Sequence, residues 1–147
     1  MIDLIIKHFY DNKIQVDTFY KVLSIASFVV LTLDFIWIKF VMHGEYNRMI
    51  PDIQQTSMMI RFIPTVLSYI TIILPIVLFV IPKISPKTRV MDSLVFGGLM
   101  GFLMYGMFSF TNYALIEKWS LKVVLLDTIW GAFLYAIATL ATSYFLF

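Results

Sequence analysis

The sequence predicts an all-α integral membrane protein, a bundle of four transmembrane helices led by a short amphipathic N-terminal segment. Three observations carry that reading. Of the 147 residues, 61% are hydrophobic and only 14% are charged, more apolar surface than a soluble domain of this length can bury. A span needs about 20 mainly apolar residues to cross roughly 30 Å of hydrocarbon. Four stretches meet that length, at about 22–41, 59–81, 90–114 and 123–147, and short polar or proline-bearing segments separate them. Residues 21–147 read as one membrane domain, a multi-pass protein whose first partner is the bilayer.

Residues 1–20 read as an interfacial segment. Asp3, Lys7, His8, Asp11, Asn12 and Lys13 interrupt the apolar run, which does not suit a cleavable signal. Ile2, Ile5, Phe9, Val16 and Tyr20 fall roughly on one side of a helix, which suits an amphipathic surface. Asp17 and Thr18 are expected to cap the first span. Residues 43–57, with Gly44, Glu45, Asn47, Arg48, Pro51, Asp52, Gln54 and Gln55, read as a polar loop. Pro64 and Pro75 in the second span are expected as kinks tolerated within a bundle. Pro82 and Pro86 close that span, and a second brief turn through Glu117, Lys118, Trp119 and Ser120 leads to the fourth.

Basic residues near the spans set orientation. Lys7, Lys13, Lys21, Lys83, Lys87 and Arg89 lie on the terminal side, against Lys39, Arg48, Arg61, Lys118 and Lys122 opposite. Six against five places both termini in the cytoplasm. Gly97 and Gly101 form a G-x-x-x-G pair, and Gly131, Ala132, Ala136 and Ala138 give the fourth span a small-residue surface. Such surfaces let helices approach closely in lipid, either inside one bundle or between copies in a homo-oligomer.

Several chemistries are excluded or lack a motif. The chain has no cysteine, so disulfides, thiolate metal sites and thiol catalysis are out. A net charge of +2 does not suggest nucleic acid. His8 and His43 lie outside the spans, so neither a metal site nor a haem cofactor is expected. Neither a nucleotide-binding glycine motif, a serine elbow nor a potassium-channel filter is present.

What remains is a repeated signature. Leu33-Asp34-Phe35-Ile36-Trp37 in span one and Leu126-Asp127-Thr128-Ile129-Trp130 in span four share the pattern L-D-x-I-W. Carboxylates inside a bilayer are costly and suggest function. At 1.5 Å per residue, Asp34 lies roughly 10 Å and Asp127 roughly 8 Å from the face opposite the termini. Arg61, in the first turn of span two, and Asn112, near the end of span three, reach the same level, with Ser109 and Tyr105 stacked beneath Asn112. Trp37 and Trp130 belong to an aromatic belt there. An inward cluster of Asp34, Asp127, Arg61 and Asn112 is expected. It suits a channel- or transporter-like passage for protons or small cations. A lipid-binding or lipid-modifying site, with Arg61 on a phosphate and an aspartate as acid or base, is the alternative. A structural ion pair between Arg61 and either aspartate is the simplest reading of all. An enzyme is the less expected of the functional readings.

The segment Tyr105-Gly-Met-Phe-Ser-Phe-Thr-Asn112, then Trp119, then Asp127-Thr-Ile-Trp130-Gly131, resembles the domain of unknown function 2177 family, small membrane proteins of bacteria and some large DNA viruses. Asp34 and Trp37 match the family's early D-x-x-W, so the resemblance covers the chain after its leader. It implies four spans and no activity. Where the family places an acidic residue just ahead of the T-N pair, this chain has Ser109, so a function needing a third carboxylate there is not expected.

Overall fold

A computed structural model describes residues 1–11 and 13–146. Asn12 of the leader and Phe147, the expected end of span four, fall outside the described residues. All described elements are helical: α1 (Ile2–Tyr10), α2 (Val16–Ile36), α3 (His43–Gln54), α4 (Phe62–Pro75), α5 (Arg89–Asp92), α6 (Gly98–Leu115) and α7 (Leu121–Leu146). Wider π-helical turns at Trp37–Met42, Ile76–Val80 and Ser93–Gly97 join several of them end to end. Four continuous rods result, Val16–Gln54, Phe62–Lys83, Arg89–Leu115 and Leu121–Leu146, each long and apolar enough to span a membrane. The protein is a multi-pass all-α membrane bundle.

The first rod differs most from expectation. Residues 43–54 are helix and not loop, because α3 continues α2 through the π-helical turn, and only 55–57 of the expected loop lie outside it. Its 39 residues measure roughly 58 Å at the helical rise, about twice the hydrocarbon thickness, so the outer part projects beyond the lipid. Met42, Tyr46, Met49, Ile50 and Ile53 recur at helical spacing and pack against Trp119, Val123 and Val124. That period outweighs the polar residues and Pro51 on the other face. Two ion pairs hold the outside of α3 to the start of α7: Lys122–Glu45 at 2.5 Å and Lys118–Asp52 at 3.4 Å. The hydrogen bond from Lys122 also holds the Glu45 carboxyl below the usual carboxylate range.

At the other end α1 packs onto the bundle. Ile6 and Tyr10 are buried, and the Tyr10 hydroxyl donates to the Val77 carbonyl. Ile2, Ile5 and Phe9 pack on the core as expected. Tyr20, assigned to the same face, is exposed, because the chain turns at Asp11, in the left-handed region at φ 51°, before α2 begins. Asp17 and Thr18 do not cap that helix. It starts at Val16, with Gln15 at the cap position and no side-chain bond.

The prolines of the second rod also behave differently from each other. Pro64 sits in the first turn of α4, where its missing N–H would have had no partner anyway. Pro75 lies in the helix interior, and the widened turn that follows it relieves the lost hydrogen bond.

α7 is the centre of the bundle. Of its most apolar stretch 56% is buried, against 22% for each of the other rods. The small residues explain how α6 reaches it. A Cβ built on Gly101 would overlap the Gly131 carbonyl, and one on Gly97 would fall 2.8 Å from the Thr139 hydroxyl. The glycine and alanine surfaces read from the sequence are therefore used inside one chain. A side chain at Gly101 should separate α6 from α7. Gly101→Leu is expected to cost about 1–3 kcal/mol by overpacking, read as a lower unfolding midpoint in detergent. Gly44→Ala, in the same kind of helix but with no atom within 4 Å of the added Cβ, should not lower the midpoint and should raise it slightly.

Candidate functional site

The two L-D-x-I-W segments meet on antiparallel rods. Spacing of i to i+3 puts each aspartate and its tryptophan on one helix face, about one turn apart. Running in opposite directions, the helices bring Asp34 level with Trp130 and Asp127 level with Trp37. The Trp130 indole N–H donates to Asp34 Oδ1 at 2.9 Å. The two indole rings stack face to face, 4.4 Å between centroids and 1° from parallel. The Trp37 N–H is near enough to Asp127 to act on it electrostatically, but it forms no hydrogen bond. Each motif thus serves the carboxylate of the other.

Two tyrosines, one from the second rod and one from the outer part of the first, complete the arrangement. Tyr69 of α4 donates to Asp34 Oδ2 at 2.9 Å, and Tyr46 of α3 donates to Asp127 Oδ2 at 2.7 Å. Both aspartates are buried, at 6% and 4% exposure. Hydrogen bonds to charged groups are among the stronger ones and offset part of the cost of burying a carboxylate.

Of these groups Asp34, Trp37, Tyr46, Asp127 and Trp130 lie on the walls of a cavity of about 480 Å³ that all four rods line. Tyr105 reaches it because Gly131 leaves room, since a Cβ there would overlap the Tyr105 ring. On the α4 rim Ser68 and Thr71 are exposed, and on the α6 rim Met107 and Phe108 are exposed. The cavity therefore opens sideways between α4 and α6, toward the lipid. One turn nearer the termini, Val30, Ile73, Ile76 and Leu134 are buried in the apolar core and close its floor.

The structure brings Asp34, Asp127, Tyr105, Trp37 and Trp130 together, and it leaves out the other three expected residues. Arg61 is exposed just before α4 and pairs with neither aspartate among the described residues. Its own carbonyl accepts from the Thr65 hydroxyl at 2.8 Å. The helix starts one residue later than an inward Arg61 requires, and a guanidinium near a span end reaches readily for water. Asn112 is half-buried on α6 but not on the cavity wall, and Ser109 is fully buried with its hydroxyl unpartnered. Tyr46 and Tyr69 were missed. Tyr46 was legible in the Met42, Tyr46, Met49 period, whereas Tyr69 is one aromatic among many in an apolar span.

A second feature was also missed. Along α7, Tyr135, Thr139, Thr142 and Ser143 are all buried, so the terminal half is not wholly apolar. The Tyr135 hydroxyl donates to the Ile72 carbonyl at 2.7 Å, while the Thr139 and Thr142 hydroxyls are unpartnered.

A family model described as a predicted membrane protein, DUF2177, matches residues 19–144. Neither a curated protein nor a solved structure matches the chain. The matched span takes in both D-x-x-W segments and every residue of the cavity.

Removing one donor should leave a buried carboxylate short of a bond. Tyr69→Phe is expected to destabilise the protein by about 1–3 kcal/mol, measured by unfolding in detergent. Tyr113→Phe, on an exposed face, should not.

Proposed function

The chain belongs to the DUF2177 family of predicted membrane proteins, and we propose that it binds a membrane-resident amphiphile in the cavity between Asp34 and Asp127. The observation that carries this reading is the sideways opening between α4 and α6 at the depth of the buried carboxylates. A molecule already in the bilayer enters there without crossing water. Its apolar part meets Met104, Met107 and Phe108, and its polar head meets the carboxylates and tyrosines. The apolar floor supports binding over free conduction through a single chain. The lipid-phosphate version of this reading loses its cation, because Arg61 stands outside the cavity.

A second reading, movement of protons or small cations, is favoured by the buried hydroxyls of α7 that run from Tyr135 to Ser143 on the terminal side of the carboxylates. Self-association belongs to this reading, since a path completed between copies would bypass the closed floor. Carboxylates held without a basic partner suit a cation in either case.

The absence of cysteine makes a clean test possible. With Met104→Cys on the cavity wall, a maleimide dissolved in the bilayer should label the thiol several-fold faster than a charged, water-soluble thiosulfonate added from either side. The reverse order would mean aqueous access. It would favour the transport reading, which proton and cation flux into liposomes, with and without Asp34→Asn and Asp127→Asn, then checks.

A further inference from the structure

Most polar atoms on the cavity wall are acceptors, the Trp37 N–H and the Tyr105 hydroxyl being the donors there without a hydrogen bond among the described residues, and this balance narrows the ligand. Tyr46 and Tyr69 spend their protons on the two carboxylates. The Ser68 hydroxyl donates to the Thr65 carbonyl at 2.8 Å, and the Thr71 hydroxyl donates to the Ser68 carbonyl at 2.7 Å. The Tyr46, Ser68 and Thr71 hydroxyls on the cavity wall therefore turn oxygen lone pairs toward a ligand. Asp127 Oδ1 has no hydrogen bond of good geometry among the described residues, although the Trp37 N–H lies beside this carboxylate. Among the described residues no lysine, arginine or histidine lines the cavity.

From this we infer that the cavity recognises the ammonium head of an amphiphilic amine. This rests on the binding reading proposed above and adds the chemistry of the head. A primary ammonium brings three donors and one positive charge. Asp127 Oδ1 is the open acceptor for it, and the lone pairs of Tyr46 and Thr71 are further acceptors around the same space. The charge offsets carboxylates that are buried without a basic partner, which is otherwise costly. Aromatic faces around the cavity add attraction for a cation. An anionic head meets two carboxylates and gains little there. A hard metal ion takes six to eight oxygen ligands in many sites, and among the described residues no three acidic or histidine side chains come together to hold one. Three of the four carboxylate oxygens are already hydrogen-bonded.

Two sources supply such a head, an amine-headed lipid of the bilayer or a free long-chain amine, and both present the same ammonium. The experiment uses the full chain in nanodiscs, with tryptophan fluorescence of the stacked Trp37–Trp130 pair in a Trp119→Phe background. Dodecylammonium is titrated beside dodecyltrimethylammonium, dodecanol and dodecyl sulfate. Saturable binding of dodecylammonium is expected, at least tenfold tighter than dodecanol or dodecyl sulfate. The trimethylated head should bind more weakly than the primary one, because it has no N–H to give. Asp127→Asn should weaken dodecylammonium at least tenfold and leave dodecanol unchanged. Thr71→Val, a milder change on the rim, should weaken it several-fold if the Asp127 variant does not fold. Weaker apparent binding in phosphatidylethanolamine than in phosphatidylcholine nanodiscs would identify the lipid amine as the competing source. Equal binding in the two would point to a free amine. Saturable binding of all four probes with equal strength would overturn the ammonium inference and keep the amphiphile cavity. Binding of none of them would overturn both.

Discussion

Two carboxylates buried in the hydrocarbon region impose the constraint on which the rest of this structure depends. Neither can be left without partners, and water is not at hand to supply them. The protein answers with donors from three of the four rods: Trp130 from α7 and Tyr69 from α4 for Asp34, and Tyr46 from α3 for Asp127. Satisfying one aspartate therefore fixes the distance and register of α2, α4 and α7 together. Satisfying the other draws α3 down over the start of α7. The projecting rod, its ion pairs to Lys118 and Lys122, and the stacked indoles all follow from that requirement.

Close packing around α7 meets the same requirement from the other side. In lipid, helices are held by dispersion and hydrogen bonds, so backbones must approach closely to gain from contact. Gly101 and Gly131 provide that approach, and Gly131 also leaves the space into which Tyr105 extends. A pair of glycines thus serves both helix contact and cavity shape. The gap between α4 and α6 is where the bundle stays open, and its rim mixes hydroxyls with apolar side chains, as an entry for an amphiphile would.

Much of the fold was legible because hydrophobic length is a strong signal. The last three spans were found within a few residues of the rods, and the first was found but cut short by the unexpected continuation through residue 54. The repeat L-D-x-I-W correctly singled out the four side chains that cross at the centre, since an intramembrane aspartate is rare enough to stand out. The crossed pairing, with each tryptophan beside the opposite aspartate, follows from antiparallel helices but was not drawn from the spacing. Residues 43–57 were misread because Gly44, Pro51 and the charges weighed more than the period of Met42, Tyr46 and Met49. Arg61 was misplaced because the span starts at Phe62 and not near residue 59, which leaves Arg61 ahead of the helix and exposed. Tyr69 carried no local signal, because a tyrosine that donates to a distant carboxylate looks like any other aromatic in a span.

The central claim is that Asp34 and Trp130 stabilise the bundle through each other, across two antiparallel spans. A double-mutant cycle on Asp34→Asn and Trp130→Phe, followed by reversible unfolding in detergent, measures that directly. The crossed pairing predicts a coupling energy of about 0.5–3 kcal/mol, the range for residues in direct contact. Strict additivity of the two substitutions would contradict it and would leave the carboxylates without the interhelical role assigned to them.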